Sequence, residues 1–273
     1  MSFIDMLALS VSNLFKRKIR TVLTVLGVVI GVASIVVMVS LGLGLNKSVM
    51  ESMQDFAQLT AVTVNQGDVS SSNEKDRKYL TDDLIEEISQ LDHVLYVAPI
   101  IQLDCIAKYG SYTAWMTLTG TSLQYLNDMN IAIEEGRLPS EADKDLQLFY
   151  GNMIIINFNT RNGKSYWESG ELPDVDLMHD SIMYILDSEK YYAFQNSSTD
   201  ENGTPIRSPK KYLLSVAGVA AGGPDEWHPY SFSTYCDIDK LVPLLKKEFK
   251  NQVIPNQPTR KNGKAYKEIF YNQ

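Results

Sequence analysis

Histidine, cysteine and tryptophan are scarce in this chain of 273 residues, with three, two and three copies. Two cysteines as far apart as Cys105 and Cys236 define no disulfide framework. A single bridge stays open, but two buried thiols is the better reading. None of His93, His179 and His228 has a second histidine at metal-ligand spacing. Nucleotide-binding and hydrolytic signatures are missing too. The text nearest to G-x-x-x-x-G-K-[ST] is GLGLNKS at 42–48, where Asn46 stands in place of a required glycine. Neither G-x-S-x-G nor H-E-x-x-H occurs. The chain is therefore expected to hold no catalytic, cofactor or metal site and to hydrolyse no ATP. Basic charge is short as well. The net charge is −8, and residues 1–45 carry +3 of their own, which leaves −11 for the rest. An acidic bulk excludes nucleic acid as a partner, because phosphate binding needs a basic surface.

Charge of either sign is absent from TVLTVLGVVIGVASIVVMVSLGLGL, residues 21–45. As a helix this run reaches about 37 Å, enough to cross a hydrocarbon core of about 30 Å with some tilt. It is too long for the apolar core of a signal peptide, and no small-residue cleavage pattern follows it. Thr21, Thr24, Ser34 and Ser40 can bond back to the helix backbone and so do not forbid insertion. Lys16, Arg17, Lys18 and Arg20 cluster on its N-terminal side, whereas Lys47, Glu51 and Asp55 follow it. The positive-inside rule then puts the N-terminus in the cytoplasm and the bulk of the chain outside the cell membrane. Gly27 and Gly31, with Ser34 nearby, form a small-residue stripe. Such a stripe either admits a second helix or faces lipid.

The flanks extend this picture. Residues 1–20 place Phe3, Leu7, Val11 and Leu14 at helical spacing, an amphipathic segment suited to the inner membrane interface. Residues 46–59 contain neither Pro nor Gly, so the helix is expected to run on beyond the lipid as a stalk.

The remainder has mixed α+β character; the mean hydropathy of the whole chain is −0.15. Strands are expected at 60–66, 94–110 and 111–120, with a tight turn near Gly110. Helices are expected at 81–91, capped by Thr81 and with Asp82 and Asp83 in the first turn, and at 122–129. From about residue 149 short strands and polar loops dominate: FYGNMIIINF (149–158), SIMYILD (181–187) and YLLSVAGVA (212–220) read as strands. DIDKLVPLLKKEF (237–249) reads as a helix with Pro243 near its first turn. GGPDEWHPY (222–230) gathers acidic and aromatic residues, and an exposed loop tip with Trp227, His228 and Tyr230 as a contact surface is preferred to a metal or catalytic site. Asn196-Ser-Ser is a formal glycosylation triplet with no other secretory feature beside it.

Residues 7–45 resemble the opening of MacB-type ABC transporter permeases, the group that includes the LolC/LolE and FtsX permeases. The likeness rests on an amphipathic elbow, a basic cluster before Arg20-Thr21, and Leu-Gly-x-x-Ile-Gly-Val-Ala-Ser at Leu26–Ser34. EEGRLPSEAD (134–143) is similar to a Glu-Gly-Arg turn of the family's periplasmic core domain, and LLSVAGV (213–219) to a strand of it. The resemblance implies a porter-like α/β subdomain over 60–148, a β-rich sabre-like subdomain over 149–255, and the start of a return segment at 256–273. It also implies a partner ABC ATPase subunit, a dimer with a second copy or a homologous permease, and mechanotransmission in efflux or envelope processes. Family permeases have three further spans after the outer domain, so this sequence is read as an N-terminal portion. The alternative is a single-pass, membrane-anchored binding or sensor protein.

Overall fold

The computed structural model describes residues 6, 18–56, 61–65, 79–160, 165–197, 199, 205–250, 252, 254 and 269–272. It divides into two units, 1–61 and 62–273. The amphipathic elbow expected over 1–20 therefore lies outside the described residues, apart from Met6 and residues 18–20, which open the long helix that follows.

The first unit is one helix, α1 (Lys18–Phe56), unbroken over 39 residues. β-Branched residues are mediocre helix formers in water, so a Val-rich helix of this length needs a surrounding that rewards it. Residues 18–50 are long and apolar enough to cross a membrane, and none of the most apolar stretch is buried within the protein.

In the second unit, alternation decides the strands. Along β1 (Ile101–Tyr109), Ile101, Leu103, Cys105 and Ala107 are buried and point to one face. Along β2 (Tyr112–Thr121), Ala114, Met116 and Leu118 join them. The two pair antiparallel along their whole length, from Ile101 opposite Gly120 to Tyr109 opposite Tyr112, with the turn at Gly110. The expected strand over 94–110 is shorter than proposed. Pro99 has no N–H to give a ladder, and pairing with β2 begins at Ile101. The strand expected at 60–66 is a correction: residues 61–65 carry no ladder pairing and are exposed throughout. An alternating pattern makes a strand only where a neighbour covers one face.

Seven more strands complete a mixed sheet: β3 (Ile133–Gly136), β4 (Gln147–Tyr150), β5 (Phe158–Thr160), β6 (Met183–Ile185), β7 (Tyr212–Leu213), β8 (Ser215–Ala220) and β9 (Ser233–Asp237). The order is β3-β8-β4-β9-β2-β1-β6-β7. β2 is long enough to take two neighbours on one edge, β5 at residues 112–114 and β9 at 117–121. The hairpin thus serves two lobes. Its base carries β9, β4, β8 and β3, and its tip carries β5, β6 and β7. β4 straddles the boundary expected at 148/149 and is bonded to both β8 and β9.

Helices cover both faces. α6 (Ile238–Glu248) buries Ile238, Leu241 and Leu245 in the main core beside Leu118 and Leu148. Pro243 sits in its second turn, not the first, and costs the bond that Asp239 would otherwise receive. On the opposite face α3 (Leu123–Asp128) buries Leu126 against Phe149 and Tyr235 at the base. Near the tip, α5 (Ser188–Asn196) sets Tyr191 on Ile106 and Ile185. α2 (Asp82–Ser89) starts where expected, Thr81 Oγ1 accepting from Leu84 N–H at 3.4 Å. The stretch 149–158 is a second correction. Only its first two residues and its last, Phe158, are strand, and Ile154–Asn157 form a 3₁₀ turn that buries Ile154 and Ile156. The short helix α4 spans Tyr166–Ser169. Cys105 and Cys236 are both buried free thiols, and burial pushes each thiol pKa up.

The last described residues return to residues 79–100 within the second unit. Tyr271 N–H donates to Leu80 O at 3.1 Å, Asn272 N–H to Ile100 O at 2.7 Å, and Tyr271 Oη to Asp82 at 2.6 Å. Phe270 is buried, its ring 4.8 Å from that of Tyr79.

Candidate functional site: a membrane helix and an aromatic loop

α1 exposes its apolar side chains on all sides; Val25, Leu26, Val32 and Val36 are each more than half exposed. Buried polar groups are costly in lipid, and the hydroxyls answer that cost locally. Thr24 Oγ1 donates to the backbone around Arg20 and Thr21, and Ser34 Oγ to Ile30 O at 2.8 Å. Gly27, Gly31 and Ser34 share one helix face at spacings of four and three. A methyl group added at Gly27 or Gly31 would touch nothing within 4 Å. Lys18 and Arg20 are exposed in the first turns of the helix, whereas Lys16 and Arg17 lie outside the described residues. The helix continues unbroken past the apolar run to Phe56, as the absence of Pro and Gly led one to expect.

The loop 221–232 is firmly held, although its tip is exposed. Asn152 Nδ2 donates to Gly223 O at 3.0 Å and to Glu226 O at 2.7 Å. His228 N–H donates to Ser231 Oγ at 2.8 Å, and Met153 N–H to Ser231 O at 3.0 Å. Gly151 allows this close approach, since a Cβ there would sit 2.0 Å from Tyr230 O. The His228 and Tyr230 rings stack at 4.9 Å with a 4° tilt, and both are half-buried. Trp227 is 52% exposed. So the three predicted contact residues come together, with Trp227 outermost. Sequence reasoning missed the neighbour: Tyr166 Oη donates to Asp225 at 3.4 Å, which brings α4 and the exposed Trp167 alongside. Nothing in the spacing of residues 166 and 225 announces that contact.

The Glu-Gly-Arg turn has a structural basis. Gly136 has φ +80°, and a Cβ there would lie 2.1 Å from Ala217 O on β8, so no other residue fits without moving the strand. Arg137 N–H then donates to Ala217 O at 2.8 Å. Its guanidinium grips Asp143 through both nitrogens, while Ser140 N–H donates to the same carboxylate at 2.8 Å. Arg137 beside it holds the Asp143 carboxyl well below the usual carboxylate range.

Residues 21–199 match the family model described as MacB-like periplasmic core domain, more than half of the chain. The chain belongs to the MacB-like periplasmic core domain family. Among its relatives is the macrolide export ATP-binding/permease protein MacB of Acinetobacter baylyi, 28% identical over 160 residues, which are 58% of this chain and 23% of that protein. The protein of the same name from Neisseria meningitidis serogroup A is 29% identical over 163 residues, 59% of this chain and 24% of that one. The chain thus spans about a quarter of the length of the curated relatives it matches. A solved structure, the periplasmic region of MacB from Actinobacillus actinomycetemcomitans, overlaps 66% of this chain and 64% of its own at 12% identity and a TM-score of 0.35. At that level the likeness carries no argument. The family match covers the apolar run of α1 and the Glu-Gly-Arg turn, two of the places where the sequence itself points to the MacB-type group, and stops short of residues 213–219.

Proposed function

We propose that this MacB-like chain is the N-terminal portion of an ABC-transporter permease subunit that carries ATP-driven motion from a partner ATPase to an extracytoplasmic domain. The chemistry of ATP hydrolysis belongs to that partner. The working unit is a dimer of this subunit with a second copy or a homologous permease, and the process is efflux or another envelope function. The N-terminus lies in the cytoplasm, with Lys16, Arg17, Lys18 and Arg20 at the inner face. On this reading residues 60–148 form the porter-like part and residues 149–255 the sabre-like part.

One observation carries this reading: α1 is unbroken from Lys18 to Phe56. At about 1.5 Å per residue its 39 residues span about 58 Å, well beyond a hydrocarbon core of about 30 Å. A helix that contains no Pro and keeps its backbone bonding unbroken transmits displacement along its axis instead of absorbing it in a hinge. The alternative, a single-pass binding or sensor protein, draws on the held Trp227 loop and needs no ATPase.

The deciding experiment is affinity purification of the native gene product from its own membranes in mild detergent. An ATP-hydrolysing subunit should accompany it. Recovery of a folded product with no ATPase would leave the sensor reading standing. A Val49→Pro change, which breaks the helix beyond the apolar run, should uncouple ATP hydrolysis from export. Unaltered export in that variant would refute the rigid-rod account.

A further inference from the structure

β3 is an end strand of the sheet, and beside it runs a groove of about 430 Å³. Its floor is apolar: Ile155, Val175, Leu177 and Val219, with Val175 and Leu177 belonging to the main core. Its rim is acidic. Glu134 and Glu135 come from β3, and Asp174 and Asp176 from the segment between α4 and β6. Among the described residues, His179 alone forms ion pairs with these carboxylates, 3.8 Å from Glu135 and 3.0 Å from Asp176, and neither Glu134 nor Asp174 has an ion pair. Asp176 is engaged locally, accepting from the N–H groups of Met178 and His179 at 2.9 and 3.0 Å. Among the described residues the other three carboxylates accept no such backbone bond.

Carboxylates of one sign around a low-dielectric floor focus the field into the groove and favour a cationic occupant. Among the described residues β3 pairs with β8 alone, so its other edge offers backbone N–H and C=O groups to an added strand. Together these features select an extended segment with side chains alternating between basic and apolar. Its basic groups would reach the rim and its apolar groups the floor, since side chains alternate along a strand.

We propose that this groove docks an extended, basic–apolar peptide segment of a partner molecule, which adds alongside β3. The proposal stands without the transporter reading, because it uses only the second unit.

The test uses the full chain in a neutral detergent and a fluorescein-labelled peptide of alternating lysine and valine, read by fluorescence anisotropy. Empty micelles and a glutamate–valine peptide are the controls. Saturable binding of the basic peptide is expected, weakened about tenfold in the triple variant E134Q/E135Q/D174N. The three side chains lie on the rim, so the thermal midpoint should stay put. A photoreactive benzoylphenylalanine in place of Met178, which also lines the groove, should crosslink the peptide. The proposal is overturned by equal affinity of the triple variant, by equal binding of the glutamate peptide, or by binding that micelles alone account for. Absence of binding overturns it as well, and leaves the carboxylates as guards against edge-to-edge pairing.

Discussion

α1 and the β1–β2 hairpin are both rich in apolar residues, yet they treat them in opposite ways. In α1 the valines and leucines from Val22 to Leu45 are all at least half exposed. In the hairpin Leu103, Cys105, Met116 and Leu118 are at most 1% exposed. The difference lies in the order of residues. The hairpin alternates, so α6 packs on one face while the other mixes polar groups with Ile106, which α5 covers. The helix is apolar all round, and no single protein face could cover it. Lipid can.

The largest effect that would break this comparison comes from a charge placed in each region. Leu118→Asp buries an unpaired carboxylate, and the domain should lose about 4 kcal/mol or more, read as failure to unfold cooperatively by circular dichroism. Val32→Asp should leave the domain's thermal midpoint unchanged and impair membrane insertion by about 2.5–3.5 kcal/mol, read in a glycosylation or reporter insertion assay. If the Val32 variant destabilised the domain instead, the helix would not be the independent membrane element described here.

Next in size is Gly136→Ala, which forces a Cβ into the space of Ala217 O. A loss of about 1–3 kcal/mol is expected in chemical denaturation. No change would mean that β3 and β8 separate more easily than their contact implies. A smaller effect is expected of Asp143→Asn. Arg137 is half exposed, so solvent screens the pair, and Tm should fall by ~2–4 °C at neutral pH. Because the folded carboxyl pKa is depressed, its contribution is complete above the unfolded value of about 3.9 and fades as pH falls through the folded one. Wild type and variant should therefore converge in strong acid, and a gap that widened there would contradict the assignment. Smallest is Gly31→Leu. It should reduce crosslinking between the spans of two copies and leave the domain's Tm alone. Undiminished crosslinking would show that the Gly27–Gly31–Ser34 face looks at lipid.

Much of this was legible beforehand, for identifiable reasons. Residues 21–45 could be read from length and lack of charge alone, and Thr81 from its place before Asp82 and Asp83. The hairpin around Gly110 followed from alternation on both sides of a turn. Legibility failed where a distant neighbour decides. The strand expected at 60–66 had a strand's composition, but among the described residues no partner pairs with 61–65. Ile154–Asn157 had the same β-branched character, and a 3₁₀ turn buries it better because Gly151 and Met153 are already bonded to 231–233. The candidate site divided along the same line. Trp227, His228 and Tyr230 were visible as a cluster in sequence, whereas Tyr166 beside Asp225, and Glu135 beside Asp176 and His179, were not.

Properties that depend on near neighbours in the chain could thus be worked out from the order of amino acids: a lipid-crossing helix, its unbroken extension, the capped start of α2, the paired strands around Gly110. The nine-stranded sheet with a hairpin shared by two lobes, the docking of residues 269–272 beside Leu80 and Ile100, and the acidic groove along β3 all join segments tens of residues apart. Those juxtapositions were settled by which buried faces fit together, because packing energy is decided between surfaces and local preference acts only within one turn or one strand.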